Sequence, residues 1–254
     1  MPADLSRPSR LALVTGGSRG LGAALVAALR DDDWQVVEHS RTAPHADSVR
    51  VDLADPLAAC AAAEAALARL DLSAVRELYL IANAGTLTPI GPTARQPPDA
   101  LLQNLHTNVV GPVLLLSRWI AHCQALPARK RIAHISSGAA RTAYPGWSLY
   151  GLAKAGMEQH LRCIAAEQAG EAHPFTAVDI VPGVIDTAMQ DQIRATPEAD
   201  FPLRERFVQR HAAGELRAPA VVARAVLRIL ARDDLQGGER YDVADHLGDD
   251  GAAR

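Results

Sequence analysis

Lysine is almost missing from this sequence: 254 residues carry 24 arginines and only two lysines, Lys130 and Lys154. Positive charge here defaults to arginine, so a lysine marks a place where a compact ammonium suits better than a planar guanidinium. Cysteine is scarce as well. Cys60, Cys123 and Cys163 are odd in number, far apart and without a C-x-x-C pair. That excludes a disulfide framework and predicts three reduced, buried thiols in a cytoplasmic protein. None of the nine histidines falls at an H-x-x-x-H spacing, so no metal site is expected. A formal net charge of −3 provides no field for nucleic acid or a membrane surface. The longest apolar run, residues 109–116, contains Gly111 and Pro112 and is far too short to span a bilayer. The opening MPADLSRPSR has two prolines and no apolar stretch, which does not fit a secretion signal.

What is present alternates. Strand-like runs at 11–14, 34–40, 49–53, 77–83, 131–136, 175–181 and 239–243 are separated by helical stretches at 21–30, 56–70, 99–125, 148–168 and 218–233. Near-continuous apolar strands between helices predict an α/β, doubly wound Rossmann fold, with a seven-stranded parallel sheet covered on both faces. The length suits one domain over 1–254. Its least regular part, 186–217, has charges and prolines interrupting weak helical patches and is expected to be a substrate-binding loop or lid.

The first strand runs into LALVTGGSRGLGAALVAAL (11–29), with Gly16, Gly20 and Gly22 spaced as T-G-x-x-x-G-x-G. A dinucleotide fingerprint needs one glycine for the tight turn, one for close approach of backbone to pyrophosphate, and one for helix–strand packing. The turn, with Ser18, Arg19 and Leu21, delivers the phosphates to a helix N-terminus. The second strand ends in EHSRT (38–42). Ser40 stands where an NAD site usually places a carboxylate for the ribose 2′-hydroxyl, and Arg41 and Arg19 suit a 2′-phosphate. NADP(H) is therefore expected, with Glu38, two positions earlier, the dissenting residue. Asp52 and Leu53, closing the third strand, sit where a carboxylate meets an adenine amino group; Asp52 equally suits a cap for the next helix.

SLYGLAKAG (148–156) places Lys154 four residues after Tyr150, on one helix face one turn apart. A phenol with pKa near 10 is a poor acid–base group at neutral pH, and a neighbouring ammonium lowers that value. Four tyrosines and two lysines in 254 residues make a chance pairing rare.

With TGGSRGLG (15–22), NAG (83–85), Asn108, ISS (135–137), YGLAK (150–154) and PGVIDT (182–187) in this order, the chain resembles the short-chain dehydrogenase/reductase family over nearly its whole length. The resemblance implies Tyr150 as general acid, Lys154 as holder of the nicotinamide ribose, and Ser137 as hydrogen-bond donor to the carbonyl. It implies that the Asn108 backbone carbonyl fixes a water leading from the lysine to solvent. Asn83, Ala84 and Gly85 would wall the cofactor, and Pro182, Gly183, Val184, Ile185 and Thr187 would bind its carboxamide end. Where the family often has two asparagines, this chain has Ala82 and Asn83. Within the family, NAGTLTPIGP, ISSGAA and GWSLYGLAKAG resemble the sepiapterin reductase and benzil reductase group. That likeness implies reduction of a ketone beside a second carbonyl, with Leu87, Trp147 and Met189 lining an apolar pocket. Pterin, aryl diketone and aliphatic dicarbonyl substrates stay open. So do an alcohol dehydrogenase working oxidatively and a silent dinucleotide sensor. A homodimer or homotetramer through the 99–125 and 148–168 helices is implied, with no nucleic-acid or membrane partner.

Overall fold

The computed structural model describes residues 9–248. Residues 1–8, polar in sequence and unlike a secretion signal, lie outside the described residues. Seven strands, β1 (Arg10–Thr15), β2 (Gln35–Ser40), β3 (Val49–Arg50), β4 (Glu77–Ala82), β5 (Arg129–Ile135), β6 (Phe175–Val181) and β7 (Arg240–Asp242), form one parallel sheet in the order β3-β2-β1-β4-β5-β6-β7. Order reverses between β1 and β4, and in such sheets the crevice at the carboxyl ends of those strands is where ligands bind.

Strand side chains alternate between two cores. Leu11, Leu13, Leu78, Leu80 and Ile132 point to one face, packing on α2 (Pro56–Leu67), α4 (Gly111–Cys123) and α5 (Ser148–Gln168). Ala12, Val14, Tyr79, Ile81 and Ala133 point to the other, under α1 (Gly20–Asp31) and α8 (Pro219–Ala231). Both faces being covered explains why the strands read as unbroken apolar runs.

Several expectations are corrected in detail. The third strand spans two paired residues rather than 49–53, because Asp52 turns the chain by accepting the Ala54 N–H at 3.0 Å. Asp52 does not cap the next helix; Asp55 does, accepting from Ala58 N at 3.2 Å with Pro56 opening the helix. The 99–125 stretch divides into α3 (Pro98–Leu105), a π-helical turn His106–Val110, and α4. The irregular 186–217 segment holds α6 (Ala188–Ala195) and α7 (Arg204–Ala212). Of the cysteines expected to be buried, only Cys123 is; Cys60 is half-buried and Cys163, on the outer face of α5, is exposed. Among the described residues, no helix is long and apolar enough to cross a membrane.

Candidate active site

At the carboxyl end of β1 the chain turns back on glycine. Gly16 (φ 68°) and Gly20 (φ 54°) hold conformations that side chains resist. A Cβ on Gly22 would overlap the Gly16 carbonyl oxygen and lie 2.6 Å from Asn83 Nδ2. This is a cradle that any side chain would fill, opening onto the first backbone N–H groups of α1, and it fits a pyrophosphate. Asn83 has a structural role that its motif did not reveal. Its Nδ2 donates to the carbonyls of Thr15 (3.0 Å) and Gly16 (3.3 Å), while Thr15 Oγ1 accepts from the backbone N–H groups of Asn83 and Ala84. Thr15 and Asn83 thereby lace β4 to the glycine turn. Ala82, where a second asparagine was missing, is buried in the core.

The end of β2 carries the residues expected to meet the adenosine end. Arg19 and Arg41 are exposed, with no ion pair among the described residues. Ser40 is buried and its hydroxyl accepts the Ala43 N–H at 3.1 Å. Glu38 is sealed behind Gly17, where an added Cβ would strike its Cγ, and neither carboxylate oxygen has a hydrogen-bond partner among the described residues. It does not face the crevice. Leu53 turns its side chain into the core against Gly111, and Asp52 is exposed.

Tyr150, Ser137, Lys154 and Asn108 converge beside this cradle. Lys154 Nζ donates to the Ile135 carbonyl at 2.5 Å, sits 5.7 Å from the Tyr150 ring centre, and faces Gly85, where a Cβ would be 3.9 Å from it. The same Cβ would be 3.3 Å from Asn108 Oδ1. Asn108, buried in the π-helical turn, clamps the loop after β4: Oδ1 accepts from Thr86 N at 2.8 Å and Nδ2 donates to Thr86 O at 2.9 Å. Ser137 Oγ accepts from Ala139 N at 3.2 Å, and its hydroxyl is near enough to the phenol to pull the phenol's pKa down. Ser136 ends its strand through a backbone bond to Ile180 O, as its place suggested, and also donates its hydroxyl to Glu158 at 2.7 Å.

The electrostatics differ from the expectation that Lys154 lowers the Tyr150 pKa. Burial pushes the phenol up, opposed by the Ser137 hydroxyl. Burial also brings Lys154 down to about 8, against the pull of Asp179 and Glu158. Below pH 8 the folded protein therefore holds a phenol and an ammonium. Because the unfolded lysine keeps its proton up to about 10.5, this group adds stability as pH rises from about 8 to 10.5, over which its ammonium is lost.

The segment after β6 crosses above. Gly183 (φ 76°) lies under Arg217, whose Nη1 would be 2.5 Å from an added Cβ, and Ile185 bridges Arg217. Thr187 approaches the glycine turn, its Cγ2 3.2 Å from a Cβ placed on Gly20. Leu87 and Trp147 are buried, Met189 half-buried, in one cluster with Tyr150. Sequence reasoning missed Phe201 and Phe207, which complete it. Trp147 stacks on Phe201 (4.6 Å, 12°) and meets Tyr150 edge-on (5.8 Å, 74°). Their only signal was two phenylalanines in an otherwise polar stretch.

A family model described as short chain dehydrogenase matches residues 10–198. The benzil reductase ((S)-benzoin forming) of Bacillus cereus is 31% identical over 242 residues, covering 91% of this chain and 97% of that protein. The sepiapterin reductase of Rattus norvegicus is 29% identical over 259 residues, covering 92% and 95%. A solved short chain dehydrogenase from Burkholderia cenocepacia J2315, in complex with NADP, matches with a TM-score of 0.70 at 23% identity over 93% of this chain and 97% of that one. The fold and crevice are those of an oxidoreductase that uses a nicotinamide dinucleotide. The chain belongs to the short chain dehydrogenase family, and its relatives include the benzil and sepiapterin reductases.

Proposed function

We propose that this protein is an NADPH-dependent carbonyl reductase acting on a ketone beside a second carbonyl. The observation that carries the reading is the convergence of a protonated phenol, a hydroxyl and a buried ammonium beside a glycine cradle. Gly16, Ser18, Arg19, Gly20, Leu21 and Gly22 would hold the pyrophosphate, and Ser40, Arg41, Asp52 and Leu53 the adenosine end. Asn83, Ala84, Gly85 and the 182–187 segment would flank the nicotinamide, which when bound supplies the hydride. Ser137 donates a hydrogen bond to the substrate carbonyl oxygen, and Tyr150 delivers its proton there as charge develops. Lys154 grips ribose hydroxyls with its ammonium, and Asn108 fixes the loop that Lys154 faces. A phenol kept neutral by burial suits reduction better than oxidation, where a phenolate would have to accept the proton.

Leu87, Trp147 and Met189, with Phe201 and Phe207, give the carbonyl apolar flanks, which supports an aryl or alkyl dicarbonyl; 186–217 would serve as the lid. The benzil reductase relative supports the same class. Exposed Leu102, Val110 and Leu152, on the helices expected to mediate self-association, support a homodimer or homotetramer, and the composition a cytoplasmic one. The test monitors loss of reduced-nicotinamide absorbance with benzil, an aliphatic diketone and sepiapterin. Consumption of NADPH with a dicarbonyl is expected; tight binding without turnover on any of them would sink the substrate class.

Arg41→Ala should weaken NADPH about tenfold or more while leaving NADH nearly unchanged, since a hydrogen bond to a charged group is worth about 1.5–3 kcal/mol. Fluorescence titration with both cofactors checks it; equal losses would mean that Arg41 does not read the phosphate. The rate of reduction should fall as pH rises through about 8, where Lys154 loses its proton. A kcat/KM profile flat to pH 10 would remove the ammonium from the mechanism.

A further inference from the structure

Two buried titratable side chains next to Lys154 take no part in that reaction. His134 on β5 and Asp179 on β6 are in register, so both leave the same face of the sheet, with small Ala82 beside His134 on β4. His134 Nδ1 lies 2.7 Å from Asp179 Oδ1, and its Nε2 lies 3.4 Å from Lys154 Nζ. An ionised carboxylate only accepts, so Nδ1 carries the proton and Nε2 turns its lone pair to the ammonium. Lys154 makes no direct ion pair among the described residues; its contacts are this nitrogen and the Ile135 carbonyl.

We propose that Asp179 and His134 are positioning residues for Lys154, the carboxylate acting through the imidazole to keep the buried ammonium charged and aimed. The proposal rests on Lys154 being the residue that grips the cofactor ribose. Other charges face this chain of contacts. On α5 they are Glu158, His160, Arg162 and the Tyr150 phenol; Arg240 comes from β7, and Arg141 from the turn after β5. Glu158 is already engaged, by the Ser136 hydroxyl, by Arg240 at 2.9 Å and by Arg141 at 3.4 Å. Asp179 is thus the anion joined to Lys154 through one ring. Burial and Glu158 bring its carboxyl up to about 7, while burial and Lys154 keep His134 neutral, well below its usual range.

Having two lysines makes the test direct. Protein labelled with ¹³C at lysine Cε gives two resonances, and the one lost in Lys154→Arg is Lys154. In the free protein, Asp179→Asn keeps the acceptor and removes the charge; it should lower the Lys154 titration midpoint by about one pH unit. His134→Asn, too short to join both partners, should do the same. The Lys130 resonance, with its own carbonyl partners at Cys123 and Gln124, should stay in place and report an intact fold. In both variants the alkaline limb of kcat/KM should move down with the lysine. An unchanged Lys154 midpoint in the two folded variants overturns the proposal. The titration needs no substrate, so failure of the wild type to reduce any dicarbonyl would count against the reductase reading alone.

Discussion

Tyr150→Phe is expected to lower turnover about 10³-fold, within the range a positioned general acid supplies, while NADPH binding and fold persist. The ring is fixed by contacts that a phenylalanine keeps. It is buried to 8% exposure, set edge-on to Trp147, and held in the same cluster as Leu87 and Ile193. Only the hydroxyl goes, and with it the proton proposed to reach the substrate carbonyl. Nothing nearby replaces it: Ser137 Oγ is a far weaker acid, and Lys154 is drawn to Ile135 O rather than toward the phenol. Ser137→Ala should cost about 10²–10³ by itself, as removal of an oxyanion donor does. The double variant should be scarcely worse than Tyr150→Phe, because the two groups act as a unit. Single-turnover kinetics with NADPH prebound would isolate the chemical step. Wild-type rates in Tyr150→Phe would leave the proton to some other group and defeat the mechanism.

The sequence was most readable where function needs residues adjacent in the chain. The glycine turn, the Y-x-x-x-K pair and PGVIDT each lie within one short stretch, the first following β1, the second on α5 after β5 and the third following β6, so all belong to the carboxyl edge of the sheet. Alternation of apolar runs and helices likewise carried the doubly wound sheet, because local periodicity reports which faces are buried. What stayed hidden depends on contacts between distant stretches. Phe201 and Phe207 reach Tyr150 only through the fold of α6 and α7. His134 and Asp179 are 45 residues apart and meet by strand register. The third strand, expected over 49–53, ends after Arg50 because the Asp52 turn cuts this edge strand short, whatever the β-propensity of its residues. Cys163 misled for a simpler reason: a cysteine on an outer helix face looks in sequence like one in the core.

Proton and cofactor chemistry share one physical device, burial. Burial keeps the Tyr150 phenol protonated and brings Lys154 down to about 8, so the same desolvation favours the acid and strains the ammonium. A fold using this device needs close packing at the cradle, and that is where a single methyl should do most harm.

Gly22→Ala is the severe case. The added Cβ would fall on the Gly16 carbonyl oxygen, and that oxygen has nowhere to go. Gly16 is held at positive φ, its N–H donates to His39 O at 2.7 Å, and its carbonyl accepts from Asn83 Nδ2 at 3.3 Å. Relief must come from α1, whose first turn would back away from the glycine loop and take with it the N–H groups proposed to meet the phosphates. We expect a loss of about 3 kcal/mol in stability, at the upper end for overpacking. NADPH affinity should fall well over tenfold, since a loss of about 1.4 kcal/mol in binding already does that much. Gly156→Ala provides the contrast. Gly156 lies in α5 with nothing of its own chain within 4 Å of the added Cβ, so within one subunit the change should be neutral or stabilise by about 0.5–1 kcal/mol through helix propensity. Thermal melting with and without NADPH separates the two effects, because a ligand that binds only the folded state raises Tm in proportion to its affinity. Gly22→Ala should melt lower and gain little from NADPH, whereas Gly156→Ala should keep the full ligand-induced rise. Equal melting and equal gain in both variants would mean that the turn yields to a methyl group, and that close approach of α1 to β1 is not what shapes the pyrophosphate cradle.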